Sequence, residues 1–258
     1  MLSLDPVTPW REAVELGAEG RYGAARVVLE SIPSSAASYS LALSTLGSHA
    51  RQVGASGIEW DRAALDCAED AESRLDAIVG LAADAVVAQD ARTAHELLAA
   101  AGAELDRLGD GHWRNLTRWH WVSAETALLE GRMDIAIVES RAARLSCAGR
   151  SARHEAKSMI VAMAAGDDFA LGQVDAVAQV LSRRGWASLQ WPLALVVADA
   201  QGGFAAWTAA AGRDGLLSDL INTARRAVER IAADLPVDLN DSWHNHPGVR
   251  RLLDGPVA

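Results

Sequence analysis

Three cations in this 258-residue chain stand at spacings that suit the capture of an oxyanion. Arg153 and Lys157 are four residues apart, so any helix holding both carries them on one face. Arg118 precedes Arg153 by 35 residues. A guanidinium meets carboxylate or phosphate with two parallel hydrogen bonds, and an ammonium adds a compact point charge. These residues could hold an anion. Trp121 follows Arg118 by about one helical turn and belongs to a group with Trp113 and Trp119. Such a group packs a core or anchors a partner in a groove. The plainer reading of the cations is a solvated basic face that pairs with Glu125, Glu139 and Glu155.

Other reactive residue types form no recognisable constellation. His244 and His246 make a pair with no third ligand nearby, too few for a structural metal site. His95-Glu96 and His154-Glu155 lack the second histidine of a zinc-protease helix. There is no GxSxG, P-loop or GxGxxG pattern, and Gly54-Ala55-Ser56-Gly57 lacks the strand and helix of a nucleophile elbow. Cys67 and Cys147 are isolated, which suits a reducing compartment better than a disulfide framework. The reading is therefore non-enzymatic, with no metal and no cofactor.

The charge pattern narrows the partners. The chain is net −10, which argues against nucleic acid, yet residues 107–157 are net +3 between flanks of −10 and −3. Lys157 is the lone lysine beside 23 arginines, a bias that fits a GC-rich bacterial genome. The first ten residues, MLSLDPVTPW, carry no basic region or long apolar run, and no apolar run approaches the roughly 20 residues of a membrane span. A cytoplasmic location without membrane contact is expected.

Positioning those side chains is work for helices. Ala is abundant, β-branched alternation is scarce, and prolines number only seven. Thr8 and Pro9 start a first helix that ends near Gly20; Tyr22–Ile32 and Tyr39–Val53 follow. The stretch from Glu59 to Gln89 splits near Asp70–Ser73, and Asp90 caps Ala91–Leu108. Trp113–Ala148 makes two helical halves around Glu130-Gly131-Arg132, the first apolar around most of its circumference. Ser151 caps Ala152–Ala165; Phe169–Arg184, Leu189–Ala200, Phe204–Ala211 and Leu216–Leu235 complete the helices. The last has one apolar face and reads as a capping helix, and residues 236–258 read as a loosely attached tail.

Helix pairs at near-constant spacing invite a test for repeats. Ala13, Ala25 and Leu29, with Gly20 and Tyr22 at the turn, fit the spacing of a tetratricopeptide repeat. Ala82, Ala94, Leu98 and Ala101 fit it again, as do Ala124, Ala136 and Ala143, and Ala170, Val174 and Val177 continue the register. Over about Pro9–Arg184 the chain resembles a tetratricopeptide-repeat protein, with drifting spacings and without most of the family's Trp, Leu-Gly and closing Pro. The resemblance implies an all-α, right-handed solenoid of antiparallel helix pairs, one domain over residues 1–235 with capping helices at 187–235. It also implies a concave surface, lined by first helices, that binds a protein segment. The family register puts Trp121 on that concave side and stacks Arg118 and Arg153 on adjacent first helices. Family members that clamp a terminal carboxylate carry Lys and Asn where this chain has Val79 and Ala83. The expected site is Arg118, Trp121, Arg153 and Lys157, holding an acidic peptide or partner protein; homo-oligomerisation is compatible with such a surface. A sensor domain that binds a small anionic ligand in the same basic pocket is the alternative, and an enclosed pocket in place of an open trough would favour it.

Overall fold

The computed structural model describes residues 8–109, 111–200 and 214–254, and every regular element among them is helical. Short polar side chains set several helix starts. Thr8 accepts the Arg11 amide at 3.4 Å ahead of α1 (Pro9–Ala18), where Pro9 occupies a position that needs no amide. Asp70 caps α5 (Ala71–Val87), Asp90 caps α6 (Ala91–Leu108) and Ser151 caps α9 (Ala152–Ala164), each through the amide three residues on. Between them lie α2 (Tyr22–Glu30), α3 (Tyr39–Gln52), α4 (Ile58–Asp66), α7 (Trp113–Leu129) and α8 (Met133–Cys147). The Asp70 cap is what divides the long proline-free stretch. The helix expected over Phe169–Arg184 is two, α10 (Asp168–Leu171) and α11 (Val174–Arg184), broken at Gly172-Gln173. Then come α12 (Ala187–Ala200), which contains Pro192, and α13 (Asp214–Ala233). The helix expected at Phe204–Ala211 lies outside the described residues. No described helix is long and apolar enough to cross a membrane.

From α1 to α9 each helix packs on its successor, and α1, α3, α5, α7, α9 and α12 also touch in that order. Small residues make the close approaches possible: Ala13, Ala25, Ala82, Ala94, Ala124, Ala136 and Ala143 are all fully buried. A buried charge cluster ties α3, α4 and α5 together. Arg51 on α3 donates to Asp61 on α4 and, at 2.6 Å, to Asp84 on α5, which also accepts the Gly57 amide at 2.8 Å. Burial pushes the Asp61 carboxyl up to about 6 against the pull of Arg51.

The chain then closes on itself. Helix α12 packs against α1, and the Arg153 guanidinium donates to the Val14 carbonyl at 3.0 Å. Asp234, just after α13, accepts the Gly23 amide at 2.6 Å through its carbonyl and the Ala24 amide at 3.1 Å through its carboxylate. Gly20 turns the chain at φ +82°, and a side chain there would strike Ile231 at 2.6 Å.

The loosely attached tail is corrected by this closure. After the turn Val237–Leu239, α14 (Asn240–Asn245) and α15 (Pro247–Asp254) dock on the α12–α13 core. Trp243, Val249 and Leu252 are each 1% exposed, and Arg225 holds the Leu252 carbonyl at 2.8 Å. Trp191 meets Trp243 edge-on with ring centroids 5.6 Å apart. Helix α13 is accordingly covered by the segment after it and does not end the fold. The segment is too short for its apolar residues to form a visible period, although α15 places Val249 and Leu252 three apart on one face.

Candidate anion pocket

Five helices, α1, α3, α7, α9 and α12, line a partly open cavity of about 390 Å³. Arg118, Trp121, Arg153 and Lys157 all line it. The sequence therefore brings the expected residues to one place, although their roles within it differ.

Helices α7 and α9 run side by side in the same direction. Going up both, Trp121 meets His154 and Ser158, Glu125 meets Lys157, and Ala127 clusters with Ala165. Arg114 and Arg118, one turn apart on α7, converge on Asp76 of α5, which is 1% exposed. Asp76 takes Arg118 at 2.7 Å, Arg114 through both guanidinium nitrogens, and the Asn115 amide at 3.1 Å. Arg114 also lies 5.1 Å over the Trp10 ring. Lys157 reaches Glu125 at 3.9 Å and lies 4.3 Å over the Trp121 ring.

Arg153 differs from these. Its hydrogen bond goes to a main-chain carbonyl, and no carboxylate among the described residues lies within ion-pair distance. Burial, with the neighbouring Arg114 and Arg118, holds its guanidinium below the usual arginine range against the opposing pull of the exposed Glu15 and of Tyr22, neither of which is close enough for an ion pair. Burial likewise lowers Lys157. Buried charges are ordinarily paired, because leaving water costs several kcal/mol per ion. A cluster of cations with one member unpaired is electrostatically prepared for an anion.

Trp121 does not serve as an exposed anchor. It is 7% exposed, its indole N–H donates to Ser158 Oγ at 2.8 Å, and His154 stacks on it at 5.2 Å. The Trp-rich helix needs cover on several sides, and Ala143 of α8 and Val161 of α9 supply it here. Trp121 is a wall that positions Lys157. Sequence reasoning missed Arg114, which the four-residue rule used for Arg153 and Lys157 would have found. It also missed Asp76 and His49, which reach the site through contacts distant in sequence.

Two histidines belong to the wall, His49 on α3 and His154 on α9. His49 Nδ1 and Ser44 Oγ are buried and have no hydrogen-bond partner among the described residues. Burial, reinforced by Arg153, lowers both imidazoles to about 3. They are neutral at pH 7. The unfolded chain takes up these protons near pH 6.5, so each histidine's contribution to stability is complete above that pH. It declines as pH falls toward 3, by about 1.4 kcal/mol per pH unit for each ring. In a proton NMR titration the two rings should stay neutral down to pH 4.5; a midpoint above pH 5 for either would show that water reaches it.

No protein-family model matches the chain, and neither the curated proteins nor the solved structures contain a match.

Proposed function

We propose that this chain is a non-enzymatic binding module, a tetratricopeptide-like right-handed solenoid of helix pairs whose inner face holds a small anionic ligand. Support for the solenoid comes from the order of contacts along α1, α3, α5, α7, α9 and α12, and from the burial of every alanine in the repeat register. The observation that carries the ligand reading is Arg153: a mostly buried cation with no carboxylate among the described residues at ion-pair distance, one turn from Lys157, in a cavity it shares with Arg114 and Arg118. The acidic peptide implied by the family resemblance has less support. Packing of α12 on α1 shortens the inner row to a cavity of about 390 Å³, within the range of small-molecule sites. Binding that alters how α12 meets α1 would suit a sensor.

Calorimetric titration with inorganic phosphate tests this reading. Binding should saturate, weaken in 0.5 M sodium chloride, and fall at least tenfold in Arg153→Gln, since a hydrogen bond to a charged group contributes about 1.5–3 kcal/mol. Non-saturating heats, or equal affinity in the variant, would refute it.

A further inference from the structure

The cavity has two chemically different ends, and from this we infer that its ligand is a two-ended amphipathic anion: an oxyanion head on the arginines and an unbranched or flat apolar body along the opposite half. The inference rests on the anion-pocket reading above and specifies the class of molecule. Because α7 and α9 run in the same direction, their composition gradients add. Each places its cations near its N-terminus, Arg114 and Arg118 on α7, Arg153 and Lys157 on α9. Beyond the Glu125–Lys157 pair, which also lines the cavity, each turns apolar toward its C-terminus, with Leu128 on α7 and Ile160, Val161 and Ala164 on α9. Beside α9, α12 adds Leu189, Pro192 and Val196 to the lining.

From Arg118 to Leu128 the helix rises roughly 15 Å, which accommodates a head and a chain of about eight carbons but not a membrane lipid with two long tails. A bare inorganic anion would use the arginine end and leave the apolar half facing water. A neutral hydrocarbon would leave Arg153 without its partner. Only a molecule carrying both parts satisfies both ends, and each buried methylene should tighten binding roughly fourfold. Carboxylate and phosphate heads share the chemistry that Arg153 recognises.

The test compares four probes by calorimetry on the full chain: octyl phosphate, octanoate, inorganic phosphate and 1-octanol. At least one octyl anion should bind a hundredfold or more tighter than inorganic phosphate and at least tenfold tighter than 1-octanol. The tighter of the two anions identifies the head. Ala164 lines the cavity yet is solvent-exposed, so Ala164→Glu should fold normally, place a carboxylate at the apolar end, and narrow the octyl-to-phosphate ratio at least tenfold. Equal affinity for octyl phosphate and inorganic phosphate would overturn the two-ended ligand and leave the anion pocket standing. If 1-octanol binds as tightly as both octyl anions, or if Arg153→Gln leaves every affinity unchanged, the anion pocket fails together with this inference.

Discussion

Trp243→Ala will lower the unfolding free energy by about 3–5 kcal/mol, the usual cost of emptying a buried tryptophan site. The indole is 1% exposed and packs edge-on against Trp191, which itself lines the ligand cavity. Truncation after Leu235 should cost more still. It removes Val249 and Leu252 from the same core, the Arg225 bond to the Leu252 carbonyl, and the 2.7 Å pairing of Arg26 with Asp238. Urea midpoints of the two variants provide the measurement. Little change in either would return residues 237–254 to the status of a loose tail.

The second large effect is expected at Asp76. One carboxylate there pairs with both Arg114 and Arg118 and accepts the Asn115 amide while almost wholly buried. Asp76→Ala leaves two cations in a low-dielectric wall, and breaking a buried pair from one side typically costs 3–5 kcal/mol. Arg114 keeps only the half-exposed Glu72 at 3.5 Å. The loss carries a signature that an ordinary cavity mutation lacks: added phosphate should restore part of the stability by binding the folded state. Thermal melts of the variant with and without 0.1 M phosphate would show it. A melting temperature indifferent to phosphate would mean that the freed arginines do not face the cavity.

How much of this was legible in the sequence depends on the range of the contacts involved. Helix starts are written locally, and Thr8, Asp70, Asp90 and Ser151 cap where their side chains dictate. Arg153 and Lys157, four residues apart, both line the cavity from α9, and Arg118 lines it from α7, which packs on α9. What the sequence hid is long-range. Asp76 meets Arg114 across 38 residues, and Arg153 reaches Val14 across 139. No local pattern announces that the last helices return to the first, which is why residues 236–258 read as an idle tail in the sequence. Trp121 was misjudged for a related reason. Its helix position says which way the ring points, but Lys157 and His154, which cover it, come from another helix.

An anion pocket headed by Arg153 is tested most directly by observing the arginine side chains themselves. In a nitrogen–proton correlation spectrum, titration with inorganic phosphate should shift the Nε–Hε signals of Arg153 and Arg118 along saturating curves that share one dissociation constant. Exposed arginines such as Arg92 should drift little. If Arg153 and Arg118 stay still while exposed arginines move in linear proportion to added phosphate, the anion binds the surface and the pocket is not its site.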